Sequence, residues 1–143
     1  MRLAALIATL CGCASALAHE PDPKLDFLMH CLGCHGADGT GVRGKIPSLK
    51  DSMPAFVRSP EGRAFLLSVP GASNSSLTDA ELAGVMNWLI GQYAPDSPAM
   101  AGKPFTTAEV SAVRRPAQTK VRENRARLLE SLRGTGPLPS DEY

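Results

Sequence analysis

Hydrophobic residues recur at helical spacing along most of the chain, and no segment alternates in the two-residue period of a strand. Apolar positions three and four apart predict a first helix over residues 23–34, with Pro23 in its first turn, where a missing N–H is tolerated. Five glycines fall within residues 33–44 and predict a loop there. A second, short helix is predicted over 60–68, followed by a loop of small residues over 69–76.

The clearest helix begins at a capping box, Thr78-Asp79-Ala80-Glu81, whose threonine and glutamate side chains can accept the first free N–H groups of the helix. A stripe of apolar residues then runs to Ile90, and Gly91 is the expected stop. Residues 95–104 contain three prolines and predict a linker. The pattern therefore predicts one helical unit over residues 19–94 and a separate segment after the linker.

A basic helical extension is predicted over residues 105–143. A second capping box starts a short helix that Pro116 ends, and a last helix follows over about 118–133, with apolar residues on one face and arginines on the other. Residues 114–133 hold seven Lys and Arg against two Glu. Two interpretations remain open: the apolar stripe clamps the extension onto the first unit, or the arginines dock on an acidic partner. Because no aromatic residues are interleaved with the basic ones, nucleic-acid binding is not expected.

The first 18 residues predict a secretory signal that is cleaved after Ala18. Arg2 provides the positive start, residues 3–10 are apolar, and Ala16-Leu17-Ala18 is a small-x-small cleavage site. The expected location is therefore the periplasm. A lipobox-like interpretation of the same region centres on Cys13, so membrane attachment is expected only if Cys13 is lipidated. No later segment is apolar over the 18 to 20 residues that roughly define a membrane span.

Cleavage leaves two cysteines, Cys31 and Cys34, in the pattern Cys31-Leu32-Gly33-Cys34-His35. This is the attachment pattern of c-type haem. Two cysteines three apart at a helix end can reach the two vinyl groups of one porphyrin, and the adjacent histidine is then directed at the iron. A disulfide framework is excluded by the cysteine count, a structural zinc site by the shortage of further ligands, and a thioredoxin-like pair by the absence of a βαβ pattern. The sequence predicts one haem, bound covalently by Cys31 and Cys34, with His35 on the iron.

From Lys24 to Tyr93 the chain resembles the class I cytochrome c family. The features that match are the first helix, the haem motif, the glycine-rich run after it, the segment Ile46-Pro47-Ser48-Leu49, and the capping-box helix. The resemblance implies an all-α cytochrome c fold around one haem, to which this chain adds a two-helix C-terminal extension. It also implies that the Pro47 carbonyl accepts a hydrogen bond from Nδ1 of His35, a contact that fixes the orientation of a metal-bound imidazole.

One feature departs from the family pattern. The family's sixth iron ligand is usually a methionine in the loop before the last core helix, and residues 69–76 contain none. Met53, which precedes a proline, and Asn74, which lies near the expected position, are the candidates, with Met100 and an open sixth site as further alternatives. A thioether ligand favours ferrous iron, whereas an open site would bind gases such as carbon monoxide.

Several side chains are candidates for contact with the haem propionates, and each has an alternative role as a surface or packing residue: Arg43, Lys45, Arg58, Arg63 and Trp88.

The expected function is periplasmic one-electron transfer without enzymatic activity. The expected partners are redox proteins, such as an exported dehydrogenase that this chain serves as accessory subunit, or another cytochrome. The alternative is a haem protein that binds small gas ligands at an open or Asn74-occupied sixth site. A peroxidase is disfavoured because residues 69–76 contain no acid or base for the distal side.

Overall fold

The computed structural model describes residues 21–96 and 103–140. Within these ranges the chain forms α-helices and no β-strand, so the predicted all-α fold class is confirmed. The helices are α1 (Pro23–His30), α2 (Leu32–His35), α3 (Leu49–Phe56), α4 (Pro60–Ser68), α5 (Pro70–Ser73), α6 (Asp79–Tyr93), α7 (Thr107–Val113) and α8 (Val121–Ser131). No helix in the described ranges is long and apolar enough to cross a bilayer.

The predicted signal, its cleavage site, Cys13, Met100 and most of the linker lie outside the described residues. The predicted periplasmic location and the domain boundaries therefore stay predictions.

Four helical segments differ from the sequence prediction. The first helix is divided at Cys31, whose φ of −124° leaves the helical range, so α2 is a separate turn. Helix α3 forms although Pro54 lies inside it, because Ser48 caps its start and its inward face is buried. The predicted loop 69–76 contains the short helix α5. Helix α6 also continues past Gly91 to its end at Tyr93.

The core is built where α1 and α3 pack on α6. Phe27 of α1 is fully buried, and its ring lies 5.3 Å from that of Trp88. The capping box of α6 is formed as predicted: Thr78 N–H donates to Glu81 over 2.7 Å, and Glu81 N–H donates to the Thr78 hydroxyl over 3.2 Å. The packing of Trp88 on Phe27 accords with its alternative role as a core residue rather than a propionate ligand.

The extension packs on this core. Its apolar stripe is buried at Leu128, Leu129 and Leu132, as the clamp interpretation requires. The expectation that the arginines of the last helix all lie on the outer face is wrong for Arg125, which is only 4% exposed. That residue falls on the same face of α8 as Leu128 and Leu129, three and four positions later, and so turns inward with them.

Two arginines that were candidates for contact with the haem propionates form hydrogen bonds with the extension. Arg63 donates to both carboxylate oxygens of Glu109, over 2.7 and 2.6 Å, and lies 3.8 Å from the centre of the Phe105 ring. Arg58 donates to the backbone carbonyl of Pro137 over 2.8 Å. Both guanidinium groups therefore join the extension to the core.

A third arginine, Arg114, connects the extension to the core and is deeply buried, with 2% of its surface exposed. Its guanidinium donates to the carbonyls of Leu77 and Ser75, each over 2.7 Å, and to the Asp79 carboxylate over 2.9 Å. These groups lie just before and at the start of α6, so Arg114 attaches the extension to the helix that forms the core.

Replacement of Arg114 by methionine is therefore expected to lower the free energy of unfolding by about 3 kcal/mol, since it leaves buried carbonyls and a carboxylate without their donor. Arg115→Met is the matched control, because the neighbouring side chain is exposed. Guanidinium denaturation of both variants measures the difference. Equal stability of the two would show that the buried guanidinium does not hold the extension in place.

Candidate haem site

A cavity of about 340 Å³ lies between the helices, within the range typical of ligand sites. Every helix of the structure except α7 contributes to its wall, which is mainly apolar. The lining residues include Phe27, Leu49, Phe56, Leu66, Val85 and Leu89. A wall of this kind suits a flat apolar group, because it removes that group from water and offers few polar atoms that would stay without partners.

Cys31 and Cys34 both line the cavity, and neither forms a disulfide. The break between α1 and α2 places Cys31 at the end of one helix and Cys34 on the next turn, where it is exposed. Burial, and secondarily the proximity of Cys34, raises the pKa of Cys31 to about 11. A thiol with so high a pKa is a poor nucleophile at neutral pH, which opposes the thioredoxin-like interpretation.

His35 lies in the same wall. Burial lowers its pKa, and the nearby backbone carbonyl of Pro47 has a smaller, opposite effect. The lowered pKa favours the neutral ring at pH 7, which is the form that binds metal. Nδ1 is fully buried and has no hydrogen-bond partner within the protein. The Pro47 carbonyl therefore lies near the ring, while the hydrogen bond between them stays a prediction.

The glycine loop brings Pro47 to His35. Gly41 N–H donates to the His35 carbonyl over 2.9 Å, and Val42 pairs with Ile46 in an isolated antiparallel bridge. Gly41 has φ near +72°, and a Cβ at this position would overlap the carbonyl oxygens of Ile46 and Pro47. Glycine is therefore required here both for the backbone conformation and for the close approach of the Pro47 carbonyl.

Gly41→Ala is expected to destabilise the protein by about 1–3 kcal/mol through its left-handed backbone alone. The added methyl group also displaces the carbonyl that faces His35, so a changed visible spectrum of the haem protein is expected as well. Gly91→Ala is the control, since this glycine is exposed, lies outside the cavity wall, and a Cβ there meets nothing within 4 Å. Thermal unfolding and absorption spectra of both variants provide the comparison, and a Gly41→Ala protein that matches Gly91→Ala in both would contradict this role of the loop.

The two candidates for a sixth ligand are placed differently. Met53, on α3, is 0% exposed and lines the cavity. Asn74 is exposed at the end of α5 and does not line it. Of the two, only Met53 has a side chain at the cavity. Met86 of α6 also lines the wall, although its place in the helix stripe indicated only a core role.

Sequence reasoning missed the contribution of the extension to this site. Val121 and Arg125 of α8 line the cavity, as does the buried Ser52 of α3. Val121 and Arg125 are about seventy residues from Ser52 in the sequence, and no local sequence pattern predicts contacts over such a separation. The docking of α8 brings these residues to the same cavity. Of the remaining propionate candidates, Arg43 lines a smaller cavity next to this one, and Lys45 is an exposed side chain.

The donor set fits haem better than a metal ion held by protein side chains. No group of three or more His, Cys, Asp and Glu that could hold a metal ion occurs in residues 21–96 and 103–140. A covalent haem, in contrast, needs two thiols, one neutral imidazole and a large apolar space, and these four features meet at one cavity. A carbonyl near the His35 ring, here that of Pro47, is the kind of partner expected for an imidazole that binds iron through its other nitrogen.

Comparison with known proteins agrees with this arrangement. No family model matches the chain. A cytochrome c-552 of Thermus thermophilus is 28% identical over 117 residues, which cover 69% of this chain and 78% of that protein. A second cytochrome c-552 from the same species is 28% identical over 102 residues, covering 59% of this chain and 78% of the relative.

Proposed function

We propose that this chain is a class I c-type cytochrome that carries electrons in the periplasm, with one haem attached to Cys31 and Cys34 and with His35 as an axial ligand. Its similarity to two cytochromes c-552 supports this proposal. The observation that carries the proposal is the convergence of both thiols and the neutral His35 ring on one apolar cavity. Haem held there would cycle between the ferric and ferrous states and pass one electron at a time.

The protein's own residues determine how easily the iron is reduced. The apolar wall would exclude water and so disfavour the extra positive charge of ferric iron, which would raise the potential. A hydrogen bond from His35 to the Pro47 carbonyl would fix the ring and increase its basicity, which would act in the opposite direction. The break between α1 and α2 lies at Cys31, and both thiols line the cavity.

The surface beside the attachment site supports transfer to and from other proteins. Cys34 is exposed, and two apolar residues near it in the sequence are exposed as well: Met29 is 71% exposed and Leu32 is 37% exposed. Apolar side chains around an exposed cofactor edge suit short-lived contacts, because they release water without fixed polar pairing. The partners we propose are redox proteins of the same compartment, such as an exported dehydrogenase or a second cytochrome.

We further propose that Met53 is the sixth ligand. Its complete burial and its place in the cavity wall support this assignment, whereas the exposed Asn74 lies outside the wall. A thioether on the iron stabilises the ferrous state and closes the site to external ligands, which is the condition that an electron carrier needs.

A second candidate function, binding of small gas ligands, has one observation in its favour. The part of the wall that belongs to the segment between α4 and α6 offers no side chain that binds iron well: Val69, Pro70, Gly71, Ala72 and Ser75. If no other side chain reaches the iron, the sixth position is open.

Visible spectra of the purified haem protein, oxidised and reduced, with and without carbon monoxide, separate the two functions. An electron carrier with a thioether ligand is expected to give low-spin spectra in both states, a reversible one-electron titration and no response to carbon monoxide. A high-spin ferrous spectrum that changes at once on addition of carbon monoxide would overturn the carrier with Met53 as ligand and support gas binding.

A further inference from the structure

A smaller cavity of about 160 Å³ adjoins the one described above. Four residues belong to both walls: Ile46, Pro47, Ser52 and Arg125. The rest of the smaller wall is largely polar and is formed by Thr40, Arg43, Ser48, Asp51, Pro139 and Ser140. The two spaces therefore meet at one boundary, apolar on one side and polar on the other.

This boundary matches the shape of the haem proposed for the larger cavity. A haem is an apolar plate with two carboxylates on one edge, so its stable position places the plate against apolar side chains and the carboxylates against donors and cations. Among the residues that the structure describes, the shared wall of the two cavities has an arrangement of this kind.

Ser52 gives an independent indication of a missing partner. Its side chain is buried on α3, its Oγ is fully enclosed, and that hydroxyl has no hydrogen-bond partner within the protein. A buried hydroxyl without a partner is unfavourable, and native proteins rarely retain one. Since Ser52 lines both cavities, an acceptor located at the boundary would satisfy it.

Arg125 provides a cation at the same boundary. Its guanidinium carbon lies 5.0 Å from the centre of the Phe56 ring, and the residue is 4% exposed. The two other charged residues of the smaller wall, Arg43 and Asp51, are exposed, so water and salt screen them far more strongly. Arg125 is thus the charge that acts most strongly on a carboxylate at this position.

We propose that the smaller cavity receives the haem propionates, with Arg125 as their buried cation and the Ser52 hydroxyl as a donor. This inference rests on the proposed haem and goes beyond it, because it makes the C-terminal extension a part of the haem site. Helix α8 then serves as more than a clamp: it supplies a charge that residues 21–94 do not bury at the cavity. A buried cation beside the haem also favours the ferrous state, since reduction removes one positive charge from the site.

Arg125→Gln tests the charge, with Arg127→Gln as matched control on the exposed face of the same helix. The measured quantity is the midpoint potential of the purified haem protein. Arg125→Gln is expected to favour the ferric state three- to tenfold more than the wild type, a fall of roughly 30–60 mV for a one-electron couple. Arg127→Gln is expected to match the wild type, and Arg125→Lys to recover most of the loss.

Ser52→Ala tests the same site by a change that is not expected to disturb folding, because the removed hydroxyl has no partner in the protein. The propionate bending bands of the resonance Raman spectrum are expected to shift in Ser52→Ala and in Arg125→Gln, but not in Arg127→Gln. Unchanged bands and potentials in both site variants of a normally loaded protein would overturn the propionate assignment and leave the proposed function intact. A wild-type protein without covalent haem would instead overturn the proposed function.

Discussion

Replacement of both Cys31 and Cys34 by alanine is expected to yield exported protein that carries no haem after denaturation. The two thiols are free and line one cavity, and alanine has no atom that can bond a vinyl group. The same change is expected to affect folding. At about 24 cal/mol per Å³, an unfilled cavity of 340 Å³ costs up to about 8 kcal/mol, a figure as large as the whole stability of many domains.

The control for this variant lies within the motif. Gly33→Ala adds a methyl group that meets nothing within 4 Å, so it is expected to retain the haem. Haem-associated peroxidase staining on denaturing gels shows the attachment directly, and circular dichroism of the soluble fraction reports the folding. Covalent haem in the double variant, or its absence from Gly33→Ala, would contradict the assignment of these two residues.

Met53→Leu is expected to convert the iron from a low-spin, closed state to a high-spin state that binds carbon monoxide. Leucine conserves the volume of the fully buried methionine, so the fold should change by less than about 1.5 kcal/mol, while the thioether is lost. The potential is expected to fall, because ferrous iron loses the ligand that favours it.

Met86→Leu is the matched control, since Met86 is also buried, also lines the cavity and lies on a different helix. Its spectrum is expected to match that of the wild type. If Met86→Leu opens the site and Met53→Leu does not, the sixth ligand is Met86 and the assignment to Met53 is wrong.

The features that sequence predicted best are those determined by neighbours along the chain. The capping box at Thr78 fixed the start of α6 because both hydrogen bonds lie within one turn. The haem motif consists of five consecutive residues, so it can be recognised in the sequence without knowledge of the fold. In contrast, α3 was not predicted. It contains Pro54, and its formation depends on the burial of Met53 and Phe56 where α3 packs on α6.

The polar part of the site could not be predicted for a related reason. Arg125 follows Ser52 by more than seventy residues, and only the docking of α8 brings them to one boundary. An arginine in a basic stretch is usually solvated, and nothing in the local sequence distinguishes the buried Arg125 from the exposed Arg127 except its spacing from Leu128 and Leu129. The stripe of leucines therefore indicated which face of α8 is buried, but not which residues of the core that face contacts.

The most direct test of the central claim is the intact mass of the purified, exported protein under denaturing conditions, followed by mapping of the peptide that contains residues 31–35. The expected result is a chain heavier by one haem, with the added mass on the peptide that holds Cys31, Cys34 and His35. A chain of unmodified mass with two free thiols, or with a disulfide between them, after export in cells that mature c-type cytochromes would contradict it.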